Sequence, residues 1–119
     1  MFTRRILGSI HNGWAHRDTL PRALATIIGG DGTLVNSFNV SALTDNAAAD
    51  FTLTWQLAFN GTEYVVAGMG KPQVVNSMGV MGVSNLSPPT STSIREFYRN
   101  PDTAASDPPV GHVIAFGRI

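Results

Sequence analysis

From residue 23 onward, apolar and polar positions alternate with the two-residue period of β-strands, not the 3.6-residue period of helices. The stretch Phe51-Thr52-Leu53-Thr54-Trp55-Gln56-Leu57 alternates without a break. It predicts a strand with Phe51, Leu53, Trp55 and Leu57 on one face and Thr52, Thr54 and Gln56 on the other. Such alternation belongs to an antiparallel sheet with one buried face. Residues 23–28 form a short apolar run that ends at Gly29-Gly30-Asp31-Gly32, and Asp-Gly between apolar runs is a hairpin signal. Residues 33–43 read as the returning strand, up to a turn at Thr44-Asp45-Asn46. After an Asn60-Gly61 turn, residues 63–69 read as a strand with Tyr64, Val66 and Gly68 on one face, broken by Gly70-Lys71-Pro72.

Residues 74–83 are strand-like but rich in Gly and Met, which suggests bulges or close backbone approach. Pro88-Pro89 marks a loop. Residues 92–98 read as a strand with Ile94, Glu96 and Tyr98 opposite Arg95, Phe97 and Arg99. Residues 100–109 hold three prolines and read as a loop, and residues 110–119 as the last strand. About seven strands at short spacing predict an all-β fold, an antiparallel β-sandwich with an irregular N-terminal arm.

The arm, residues 1–22, has no clean period. It carries Arg4, Arg5, Arg17 and Arg22 against Asp18, whereas the rest of the chain is net acidic. Trp and Arg are enriched at interface anchors. The arm is therefore read as a docking segment with Arg4, Arg5, Trp14 and Arg17 as its partner-docking residues, and 23–119 as the β-domain. The alternative is a frayed terminus.

Composition sharpens this picture. Only 13% of the 119 residues are charged, about half the usual ~25%. Thr (11), Ser (9) and Asn (8) stand in their place, and eight basic residues balance eight acidic ones. A general nucleic-acid binder is normally basic, so no nucleic-acid partner is expected. A domain with so little charge is prone to self-association. There is no cysteine, which excludes disulfides, thiolate metal sites and cysteine nucleophiles. No apolar run reaches the ~18 residues of a membrane helix, and no apolar stretch of a signal peptide follows Arg4-Arg5. No membrane insertion is expected, and the chain is read as starting at its own initiator.

The search for chemistry yields no convergent set. His11 and His16 are five apart on an irregular segment, and His112 opens the last strand. None has zinc-site spacing. The carboxylates are scattered singly, mostly beside turn residues, where Asx-turns account for them. No Gly-x-Ser-x-Gly elbow and no phosphate loop occurs. The expectation is a non-enzyme with no catalytic residue, no metal and no cofactor. Met69, Met78 and Met81 are read as filling core or subunit-interface gaps, and Trp55 as core.

The run Gly32-Thr33, then Ser37-Phe38-Asn39-Val40-Ser41-Ala42-Leu43-Thr44-Asp45-Asn46, then Asp50-Phe51-Thr52-Leu53-Thr54-Trp55, then Tyr64-Val65-Val66-Ala67-Gly68 resembles a C-terminal β-sandwich module of tailed-bacteriophage tail-fibre and tail-spike proteins. Val113-Ile114-Ala115-Phe116-Gly117-Arg118 resembles its closing strand. Ala47-Ala48-Ala49 stands where that family usually has Gly-Thr-Gly. The resemblance covers residues 23–119 and implies a virion structural protein, a short tail fibre or fibre tip. It further implies a homotrimer, attachment to another virion protein and contact of tip loops with host surface glycan. It carries no enzymatic residues. Such modules usually end a much longer protein, so the arm is expected to be the tether. A capsid decoration protein clamped by the same arm is the alternative.

Overall fold

The computed structural model describes residues 20–71, 79–99 and 107–119, and the fold is all-β. In chain order the strands are β1 (Ala23–Ile28), β2 (Thr33–Phe38), β3 (Val40–Ala47), β4 (Asp50–Trp55), β5 (Val65–Gly70), β6 (Gly79–Val83), β7 (Ser93–Arg99) and β8 (Gly111–Phe116). Among the described residues there is no helix. The residues expected to dock a partner, Arg4, Arg5, Trp14 and Arg17, lie outside the described residues, as do His11, His16 and Met78.

All eight strands belong to one antiparallel sheet in the order β2-β1-β8-β5-β6-β7-β4-β3. The antiparallel all-β expectation holds. The strands number eight and form a single, nearly closed, barrel-like sheet. The run expected as one strand over 33–43 is divided at Asn39, whose backbone takes the left-handed φ of 56°. The two strands at the ends of the order, β2 and β3, meet at that residue. At the far end of this seam a Cβ on Gly32 would stand 3.1 Å from the Asp45 Cβ.

Two turns differ from expectation. Asp45 and Asn46 lie within β3, and the chain reverses two residues later at Ala48-Ala49. Ala49 carries the positive φ of 63° that favours glycine. Its carbonyl accepts from Tyr98 N at 2.9 Å and its N–H donates to Asp107 Oδ1 at 2.8 Å. Tertiary bonds thus hold an alanine where the resembling modules have a Gly-containing turn. The Asp31-Gly32 hairpin forms as expected, with Gly32 at φ 61°.

The interior is filled unequally. From β4 and β7 come the large side chains Phe51, Leu53, Trp55, Ile94 and Tyr98, all buried. Facing them, β1, β8 and β5 turn mostly small groups inward, Ala23, Ala25, Ala115, Gly68, Gly70 and Gly111, with Ile27 and Val113 as the larger ones. The pairing is tight. A Cβ on Gly70 would stand 2.2 Å from Tyr98 Cε1, and one on Gly68 2.6 Å from the Met81 Cβ. Close packing of this kind leaves no room for an added methyl.

Residues 56–64 cross from β4 to β5 and close one end of the barrel with aromatic rings. Phe59 stacks on Tyr64 at 4.2 Å, and Trp55 meets both edge-on at 5.4 and 5.9 Å. The Trp55 indole N–H donates to the Tyr64 hydroxyl at 3.2 Å, and that hydroxyl donates to the Thr90 carbonyl at 2.8 Å. Burial, the largest cause, pushes the Tyr64 hydroxyl pKa up; the bond from Trp55 opposes it and the charge of Glu96 adds to it.

Candidate functional site

Leu57 continues the sequence alternation that buries Phe51, Leu53 and Trp55, but it is 61% exposed. The strand stops at Trp55, so the next two residues leave the core. Asn39 fixes this exit. Its side-chain amide donates to the Leu57 carbonyl at 3.2 Å and its carbonyl accepts from Leu57 N at 2.6 Å. One asparagine, with the left-handed backbone that Asn tolerates, replaces a missing strand neighbour.

A groove of about 730 Å³ opens over this end of the barrel. Leu20, Phe38, Leu57 and Ile119 form apolar walls, each at least half exposed. Gln56, Asn60, Arg22 and Arg118 complete its lining. Asn60 N–H donates to the Arg118 carbonyl at 2.6 Å, and Arg22 N–H to the Ala115 carbonyl at 2.8 Å. The backbone that presents the groove is therefore tied to the sheet, while Leu57 and Asn60 project into solvent. A concave surface lined by an aromatic residue and by Gln and Asn residues suits a polyhydroxylated ligand. Hydroxyls pair with amide groups, and the C–H faces of a sugar ring lie against apolar side chains.

Among the described residues the carboxylates divide into four settings, and in one of them the half-buried Asp107 accepts from Ala49 N at 2.8 Å. Asp31, Asp45 and Glu63 are exposed. Asp50 is buried on the barrel exterior and held by Arg95, with Nε to Oδ1 at 2.8 Å and Nη2 to Oδ2 at 2.6 Å. Asn46 adds a bond to Asp50 Oδ1 at 3.2 Å. The Arg95 hydrogen bonds, with a smaller contribution from Asn46, hold the Asp50 carboxyl below its ordinary pKa against the effect of burial. Glu96 points inward and is 1% exposed. It is paired across the sheet with Phe51 and Val83, and neither carboxylate oxygen has a hydrogen-bond partner among the described residues. Burial pushes its pKa up to about 7. Glu96 faces the closed core and does not reach the groove.

His112 is exposed on β8, with Nδ1 3.2 Å from the Thr26 hydroxyl. Met81 fills the core, whereas Met69 is 69% exposed. Among the described residues no group of three or more His, Asp or Glu is placed to hold a metal. Alternation in the sequence put Glu96 with Ile94 and Tyr98, which is where it lies. The Asp50–Arg95 pair, 45 residues apart, and the groove had no local signal.

No protein-family model matches the sequence, and no curated protein matches it. Among solved structures, the fold is similar to part of the phiAB6 tailspike, solved with three-repeated oligosaccharides of Acinetobacter baumannii surface polysaccharide. The TM-score is 0.52 at 14% identity over 84% of this chain, and the match spans 20% of the tailspike chain. The chain thus has about a fifth of that protein's length and shares with it a weak, tailspike-like likeness of fold.

Proposed function

We propose that this chain is a tailspike-like structural module of a bacteriophage tail that contacts bacterial surface glycan through the groove over the aromatic end of the barrel, without catalysing a reaction. The fold likeness to a phage tailspike carries the reading. The tailspike's bound oligosaccharide supports a glycan as the ligand class, and Gln56 and Asn60 beside Phe38 and Leu57 supply matching chemistry. A binding role is supported by where the acidic groups lie. Asp50 is engaged by Arg95, and Glu96 is enclosed in the core. Attachment to a further virion protein through the arm, and self-association of the β-domain, complete the reading. The fibre resemblance implies three copies.

The test is titration of the full chain with bacterial surface oligosaccharides, followed by NMR or calorimetry. The reading expects weak binding that is lost in Gln56→Ala/Asn60→Ala with the fold intact. Absence of binding across neutral and acidic oligosaccharides, or binding that the double variant leaves unchanged, overturns it.

A further inference from the structure

The Asn60-Gly61 turn does more than reverse the chain. Residues 60–63 are all exposed, whereas Phe59 and Tyr64 on either side stack together at 4.2 Å in the aromatic end of the barrel. The backbone is tied where it enters the turn. Phe59 N–H donates to the Ser91 carbonyl at 2.8 Å and Asn60 N–H to the Arg118 carbonyl at 2.6 Å. The Asn60 side-chain amide, by contrast, has no hydrogen-bond partner among the described residues. Other asparagines are engaged: the Asn39 amide donates to the Leu57 carbonyl, and the Asn46 amide to Asp50 and Thr52. Gly61 has a φ of 104°, a backbone that glycine alone adopts without strain. A Cβ there would find nothing within 4 Å, so the turn conformation and not close packing requires the glycine.

That requirement has a chemical consequence. The amide carbon Cγ of an asparagine is three bonded atoms from the backbone nitrogen of the next residue, so attack by that nitrogen closes a five-membered ring. A side chain on the next residue crowds the attack, and glycine has none. In the structure Gly61 N–H donates to the Phe59 carbonyl at 3.0 Å. This bond closes a three-residue turn and is bent away from the straight geometry of a strong hydrogen bond. The attacking nitrogen is therefore weakly held, and the amide it attacks is exposed and unengaged. We propose that Asn60-Gly61 is a self-modifying site, in which Gly61 N attacks Asn60 Cγ and converts this groove-lining asparagine to aspartate and isoaspartate. The N–Cγ bond forms as the Gly61 proton passes to base. The Cγ–Nδ2 bond then breaks, and the nitrogen leaves as ammonia with a proton returned to it. Water opens the cyclic imide at Cγ to give aspartate, or at the main-chain carbonyl to give isoaspartate. Where the amide had two N–H donors, the product carries a carboxylate that only accepts. Ageing thus turns a donor of the groove into a negative charge. Its effect on glycan contact rests on the functional reading above; the modification does not.

The test holds the full chain at mildly alkaline pH, then digests it and maps the peptides by mass over time. The same chain unfolded in urea is the reference. The Asn60 peptide should gain the mass by which a hydroxyl exceeds an amino group and split into two isomers. It should convert about tenfold faster or more than the peptides of Asn36, Asn46 and Asn85, whose next residues carry a Cβ. Asn12-Gly13 falls in a separate peptide and is counted apart. An Asn60 that stays intact in the folded chain, or converts no faster than those three, overturns the site, because the turn then shields it. Ion exchange next separates chain modified at Asn60 from unmodified chain of the same age, and each is titrated with bacterial surface oligosaccharides. The modified fraction should bind about tenfold more weakly. Equal binding by the two fractions overturns the effect on glycan contact while the modification stands. No binding by fresh chain removes that effect together with the groove reading, and the mass map still decides the modification.

Discussion

Replacing Glu96 with Gln should stabilise the protein, and only above acidic pH. The carboxyl is 1% exposed, has no hydrogen-bond partner among the described residues, and has its pKa raised by burial from 4.5 to about 7. A folded-state pKa above the unfolded value means that the folded protein binds the proton more tightly. Stability is then highest below pH 4.5, falls as pH rises through the interval to 7, and levels off beyond it. The shift of 2.5 units at ~1.36 kcal/mol per unit gives a loss of about 3 kcal/mol between those limits. Gln keeps the shape and neutrality of the protonated acid. Urea unfolding of both proteins from pH 4.5 to 8.5 should give equal midpoints at the acid end. At pH 8 the variant should lead by about 3 kcal/mol. A gap constant across that range, or a variant less stable at pH 8, would refute the reasoning, because it would mean that the Glu96 carboxylate is solvated or paired.

Asp50→Asn should act with the opposite dependence. The Asp50 carboxyl is held below its ordinary 3.8, so its bond to Arg95 stabilises the fold above that pH and is lost as the carboxyl protonates in stronger acid. The variant should melt several degrees lower at neutral pH, and thermal scans of the two proteins should converge as pH falls below that range. Together the two carboxyls place the wild-type stability maximum at mildly acidic pH. Gly79→Ala should cost about 2 kcal/mol or more, since its Cβ would stand 2.2 Å from the Gly70 carbonyl oxygen and 2.6 Å from the Tyr98 hydroxyl. Gly82→Ala, with nothing within 4 Å of the added carbon, should stay within ~0.5 kcal/mol in the same denaturation assay.

Local periodicity carried most of the fold. Phe51, Leu53 and Trp55 alternate because β4 has one dry face, and Ile94, Glu96 and Tyr98 share a face for the same reason. What periodicity lacks is knowledge of where a strand stops. Leu57 fits the alternation yet stands in solvent, because Asn39, 18 residues earlier, captures its backbone. The turn after β3 was displaced for a similar reason. Asp45-Asn46 has turn chemistry, but Asp107 and Tyr98 hold the reversal at Ala49. The Glu96 side chain shows the same gap at the level of chemistry. Its face was readable, but its isolation depends on strands β4 and β6 beside it. The groove joins residues near 20, 38, 57 and 118, which only the sheet order brings together.

Electron cryo-microscopy of the phage particle to which the proposed function assigns this chain tests the account most directly. A labelled copy of the chain should appear at the tail, with the aromatic end of the barrel and its groove directed outward. Density on the capsid shell would contradict the tail assignment and make the chain a decoration protein. Its absence from the particle would contradict a virion role altogether.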